Sequence, residues 1–153
     1  AALQPIIFES GAAPPLISPH QFSKIDLPAL QMLLEGAEKM FDSPQALIIG
    51  GNTYPVLTDI LQCHPGYLIC PYETNQSAFM EVMKGEPEIM VRMNMNPRVF
   101  IGEDFNRARE EADRVMQLAG ARVNVCIGSG VLPLEANPRL VVAVKEYIQT
   151  QRI

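Results

Sequence analysis

Short runs of apolar residues alternate with longer segments of helical period along all 153 residues, the pattern of repeated βα units built on a parallel sheet. Five runs predict strands: Pro5 to Phe8, Ala46 to Ile49, Tyr67 to Cys70, Ile89 to Met93 and Val123 to Ile127. Each carries Ile, Val or Leu at consecutive rather than alternating positions, which predicts burial on both faces of the sheet.

The intervening segments have the opposite period. From Glu103 to Ala119, Phe105, Ala108, Ala112, Val115, Met116 and Ala119 fall on one helix face, charged residues fill the other, and Gly120 stands where a helix-ending glycine belongs. A second helix is predicted from Pro138 to Thr150, with Asn137 as N-cap. Between Ser18 and Phe41 the spacing is again helical, and Pro28 predicts a kink or a division there. Shorter helices are expected at Tyr54 to Gln62, capped by Asn52 or Thr53, and at Gln76 to Lys84, capped by Asn75. Such α/β units suit an open doubly wound sheet, or most of an eight-stranded barrel whose first units are missing. Periodicity does not choose between them.

With 48% apolar and 19% charged residues, positions 1–153 read as a single globular domain. The 12 Lys and Arg stand against 17 Asp and Glu without a basic run, which argues against nucleic acid and for small-molecule ligands. No stretch reaches the roughly 18 to 20 apolar residues of a membrane span, and the start Ala1-Ala2-Leu3-Gln4-Pro5 has no signal-like pattern. Neither a membrane nor a secreted protein is expected. Three cysteines without a CxxC pair suit a reducing, cytoplasmic setting. A first residue other than Met, followed at once by an apolar run, reads as a start in the middle of something larger.

Ligands of parallel α/β folds gather at the carboxyl ends of the strands. The loops there are Glu9-Ser10-Gly11-Ala12-Ala13, Gly50-Gly51-Asn52-Thr53, Pro71-Tyr72-Glu73-Thr74-Asn75, Asn94-Met95-Asn96-Pro97 and Gly128-Ser129-Gly130-Val131-Leu132-Pro133. Their glycines either let backbone N–H groups approach an anion or simply make tight turns. Glu9, Tyr72, Glu73, Asn94 and Asn96 are expected to converge on one mouth, where they offer carboxylate, phenol and amide groups for acid–base work or hydrogen bonding. No metal site is expected, because Cys63 and His64 fall at a helix end away from the mouths and no HxC or HExxH spacing exists. Cys126 reads as a small buried hydrophobe, His20 as solvated, and Met90, Met93 and Met95 as core filler.

Taken in order, Ile7-Phe8-Glu9-Ser10, Leu16-Ile17-Ser18-Pro19-x-x-Phe22, Leu27-Pro28, Gly51-Asn52-Thr53-x-Pro55-x-Leu57, Asn94-x-Asn96-Pro97 and Gly128-Ser129-Gly130-Val131-Leu132-Pro133 resemble the C-terminal part of the uroporphyrinogen decarboxylase family, which includes corrinoid-dependent methyltransferases. The resemblance spans nearly the whole chain. It implies the last five βα units of a (β/α)8 TIM-type barrel, a partial barrel whose two edge strands need the missing N-terminal half or a second chain. Ser10 matches a serine of the decarboxylases, but Ser129 replaces their C-terminal histidine, and their pyrrole-binding acid lies in the half this chain lacks. The methyltransferases hold zinc through a His-x-Cys and a later cysteine; Ile48, Gly50 and Val131 stand at those positions.

The resulting expectation is a divergent, corrinoid-dependent methyltransferase-like enzyme, zinc-free at the usual site. Cobalamin would serve as methyl carrier and a small molecule or a corrinoid protein as substrate. A uroporphyrinogen decarboxylase of porphyrin biosynthesis, a non-catalytic tetrapyrrole-binding module and an unrelated doubly wound domain are the alternatives. Tyr72 and Glu73 are the expected catalytic pair, and Glu9, Ser10, Asn52, Asn94 and Ser129 the expected substrate-binding residues.

Overall fold

A computed structural model describes residues 5–151. Five strands, β1 (Ile6–Glu9), β2 (Ala46–Ile49), β3 (Tyr67–Cys70), β4 (Met90–Met95) and β5 (Val125–Ser129), form one sheet. Every neighbouring pair is parallel and the strand order is sequential, β1-β2-β3-β4-β5. Three strands lie one or two residues later than their apolar runs, because the polar residues Glu9, Asn94 and Ser129 also join the ladder.

Strand alternation sorts the side chains onto two unlike faces. Leu47, Ile49, Leu68, Cys70, Val91, Met93 and Met95 belong to one core with Phe22, Leu30, Phe79, Ala112 and Val144 from the helices. Alternate positions form the other face, which lies outside that core. There Ile6 and Phe8 remain 62% and 66% exposed, and Ile48, Tyr67, Met90 and Arg92 are half-buried. Ile69 and Asn94 on this face are buried, so the expectation of burial on both faces holds at the centre of the sheet and is corrected at β1; that of a buried Cys126 is also corrected, since it is exposed. Apolar side chains make a strand fit for burial, but coverage depends on which elements pack against each face.

The segment ahead of β2 runs through α1 (Pro19–Gln21), a π turn (Phe22–Asp26) and α2 (Leu27–Phe41). The helical segment divides as expected at Pro28, which sits in the first turn of α2 with the π turn ending just ahead of it. The wider turn just before it is closed by the Leu27 N–H donating to the Phe22 carbonyl. Ser18 and Gln21 close a reciprocal capping box at the start of α1.

A short 3₁₀ turn (Tyr54–Val56) leads into α3 (Leu57–Leu61), and neither Asn52 nor Thr53 caps it with its side chain. Thr53 is instead buried, with its hydroxyl unpaired. The expected caps do form on α4 (Gln76–Met83), from Asn75, and on α6 (Pro138–Thr150), from Asn137. In α5 (Phe105–Ala119), Ala108, Ala112, Val115 and Ala119 are buried. Gly120 follows at φ 57°, as expected for the residue that ends the helix. Tyr147 ties α6 to α5 through a 2.6 Å bond to Asp113 and an edge-to-face contact with Phe105.

Gly66, just before β3, carries a close approach. A β-carbon there would lie 2.9 Å from the Pro44 carbonyl oxygen, a backbone atom with little freedom to move. Gly66→Ala is expected to lower stability by about 2 kcal/mol in urea denaturation; an unchanged midpoint would show that this backbone yields.

Candidate functional site

At the carboxyl end of the sheet, the β3 and β4 loops are held by a buried hydrogen-bond network. Gln76, the first residue of α4, is 5% exposed. Its Nε2 donates to the backbone oxygens of Asn94 (2.9 Å) and Cys70 (3.3 Å), and its Oε1 accepts from Arg114 Nη2 (2.8 Å). Arg114 in turn forms a two-point pair with Glu111, 2.7 and 2.8 Å. Glu111 Oε1 also accepts the Asn96 backbone N–H at 2.8 Å, so α5 fixes the turn after β4 directly. Asn96 caps that turn through its side chain, which accepts from the Arg98 N–H at 3.0 Å.

Burial, the strongest single influence on Glu111, pushes its carboxyl up, but the Arg114 guanidinium and the Asn96 N–H together hold it below the ordinary value of 4.5. A carboxyl depressed in the folded state stabilises above its ordinary pKa and loses that contribution as pH falls through the folded value. Glu111→Gln is therefore expected to cost about 1 kcal/mol at pH 7, with the difference shrinking below pH 4.5. Urea unfolding across pH 2.5 to 7 checks this, and a constant difference would mean that the carboxylate charge contributes nothing.

Asn52 ties the β2 loop to the β3 loop: its Oδ1 accepts from Thr74 Oγ1 at 3.1 Å, and Thr74 Oγ1 accepts from the Tyr54 N–H at 2.8 Å. Tyr72 is half-buried, its ring edge 3.5 Å from where a β-carbon on Gly130 would lie. Glu73 is exposed on the next position. Asn94 is 3% exposed, and its Oδ1 accepts from Arg92 Nε at 3.1 Å.

No protein-family model matches this chain, and no curated protein does. The assignment of the site therefore rests on its geometry.

That geometry gathers some of the expected residues and separates others. Tyr72, Asn94 and Gly130 share the β3–β5 end of the sheet, with Asn52 one loop away. Glu9 and Ser10 end β1 at the opposite edge, about 19 Å along the sheet from β5 at roughly 4.8 Å per strand. Glu9 Oε1 there accepts the Gly11 N–H at 2.8 Å. Ser129 pairs in register with Met95 and so shares the helix-covered face; its hydroxyl donates to the Gly130 carbonyl at 2.9 Å. Asn94 and Gly128 occupy the open face.

Sequence reasoning passed over Arg92, Thr74, Gln76, Glu111 and Arg114. A charged residue inside an otherwise apolar strand was the available signal for Arg92. Gln76, at a helix start, carried none.

Among the described residues no group of three His, Cys, Asp or Glu side chains is placed to hold a metal ion. Burial pushes Cys63 up to about 11 and Cys70 up to about 12, so both stay as thiols at neutral pH. A cavity of about 810 Å³ lies at the amino end of the sheet beside Arg122 and Asn124. Both side chains are tied to backbone carbonyls, which makes it a structural crease. A second cavity of about 340 Å³ separates β5 from α6 and is lined by Met95, Ile127, Val144 and Ile148. No helix among the described residues is long and apolar enough to cross a membrane.

Proposed function

We propose that the chain forms five consecutive βα units of a (β/α)8 barrel related to the uroporphyrinogen decarboxylase family. In this reading it binds a tetrapyrrole or a corrinoid-borne group at the carboxyl end of the sheet. One observation carries it: five parallel strands in sequential order, with one face in the helical core and the opposite face outside it, Ile6 and Phe8 exposed there. A closed barrel places helices outside and side chains inside in this way. A doubly wound sheet reverses its strand order at a switch point and covers both faces. The open face then corresponds to the barrel interior, completed by three further βα units or by a second chain.

The zinc chemistry of the related methyltransferases does not fit these residues. Ile48, Gly50 and Val131 have no side-chain donor, and Val131 is 91% exposed. No step is assigned through zinc. Methyl transfer remains the reaction proposed: a bound corrinoid would supply the methyl group to a nucleophilic small-molecule acceptor, Tyr72 and Glu73 would take up the acceptor's proton, and Asn94 and Asn52 would orient the ligand. The missing donors favour a second reading, a tetrapyrrole-binding module without turnover.

The test is absorbance titration of the full-length protein with cobalamin and with coproporphyrin. A band shift with one ligand, weakened in Tyr72→Ala and Asn52→Ala while their circular dichroism stays that of the parent, supports the reading. Binding without methyl transfer or decarboxylation selects the module. Binding of neither ligand, or mutants that bind like the parent, overturns the site.

A further inference from the structure

Arg92 stands on the open face of the sheet, in a central strand whose other face carries the buried Val91, Met93 and Met95. Placing a guanidinium there costs desolvation, and an apolar residue of similar volume would suit the site better for stability alone. The surroundings nevertheless hold it in place. Its Nε donates to Asn94 Oδ1 at 3.1 Å, and the Arg92 charge acts on the Tyr67 hydroxyl, opposing the rise that burial gives its pKa. The neighbouring strand makes room: a β-carbon on Gly128 would lie 2.8 Å from Arg92 Cδ and 3.2 Å from Cγ. The first glycine of Gly128-Ser129-Gly130 thus has a purpose beyond a tight turn or a backbone anion nest. It lets the Arg92 side chain lie across β5.

What the cradle lacks is a counter-charge. The ion pairs among the described residues are Lys84–Glu81 and Arg114–Glu111, and no carboxylate lies within 4.0 Å of Arg92. In a chain of net charge −5, this guanidinium is not part of a general basic surface. With Nε engaged, its remaining N–H donors form a planar fork suited to two oxygens of a carboxylate or phosphate.

We propose that Arg92, cradled by Gly128 and oriented by Asn94, is the receptor for an oxyanion group, carboxylate or phosphate, of a ligand bound on the open face of the sheet. The inference deepens the reading above by naming chemistry its ligand carries, and it rests on that reading only for placing a ligand on this face.

Calorimetric titration of the full-length protein with pyrophosphate and with citrate tests it, the two probes separating phosphate from carboxylate recognition. At least one is expected to bind, with affinity reduced tenfold or more in Arg92→Gln. Gly128→Ala keeps the charge but displaces the side chain, and is expected to weaken the same anion. Arg98→Gln, at the exposed position of the turn after β4, is expected to leave binding unchanged. Arg92→Met separates binding from scaffolding: its thermal midpoint is expected to equal or exceed the parent's while anion binding is lost. Binding of neither probe, an unchanged affinity in Arg92→Gln, or a lowered midpoint in Arg92→Met with binding retained overturns the proposal. Anion binding at Arg92 together with failure of both cobalamin and coproporphyrin would leave this inference standing and remove the tetrapyrrole reading.

Discussion

Gln76→Ala is expected to destabilise the protein by about 3 kcal/mol, the sum of hydrogen bonds that leave buried partners unpaired at roughly 1 to 3 kcal/mol each, less what entering water restores. The lost partners are the carbonyls of Cys70 and Asn94 and the Arg114 guanidinium. Because Cys70 ends β3 and Asn94 lies near the end of β4, the damage falls at the mouth of the sheet. Ligand affinity should fall together with stability. Gln76→Glu keeps an acceptor for Arg114 but no donor for the carbonyls, so it should recover only part of the loss. Urea denaturation monitored by circular dichroism measures both variants, and a loss below about 1 kcal/mol for Gln76→Ala would show that water replaces the network.

A comparable loss, again about 3 kcal/mol, is expected for Arg122→Ala at the other end of the sheet. Its guanidinium donates to the carbonyls of Met83 (2.7 Å), Glu86 (2.6 Å), Ile89 and Asn124 (3.1 Å). Met83 is the last residue of α4, where the helix dipole leaves negative potential, and Ile89 and Asn124 lead into β4 and β5. One side chain thus joins a helix end to the starts of two strands. Burial lowers the pKa of Arg122, opposed by the nearby Glu86 charge, so the cation is held by carbonyl dipoles more than by an ion pair. Arg122→Lys should restore less than half the loss, since a single ammonium cannot span the carbonyls that a guanidinium fork reaches. Faster amide exchange at Met90 and Val125 would accompany the loss. Exchange like the parent's, with an unchanged urea midpoint, would contradict the assignment.

Much of the fold is legible in the chain because its signals are local. The runs at 46–49 and 67–70 are the observed strands, and Asn75, Asn137 and Gly120 cap helices where expected. Pro28 marked the division of the 18–41 segment, but that the break takes the form of a π turn ahead of α2 was not legible locally. The candidate site was legible only as a set of loops. Tyr72 and Asn94 follow or end neighbouring strands at the same end of the sheet, whereas Ser129 faces the helices because the register pairs it with Met95 and pairs Asn94 with Gly128. A one-residue difference in strand position decides which face a side chain occupies, and apolar runs do not specify it that finely.

By itself the sequence determined the alternation of strands and helices, the caps, and the amphipathic face of α5, since these follow from short-range sterics, hydrogen bonding and periodicity. Tertiary structure alone decided the sequential strand order, the coverage of one face by helices, the exposure of Cys126 and the laying of Arg92 over Gly128. These depend on contacts between residues far apart in the chain. The free energy of such contacts comes from the surfaces they bring together, and no local pattern encodes it.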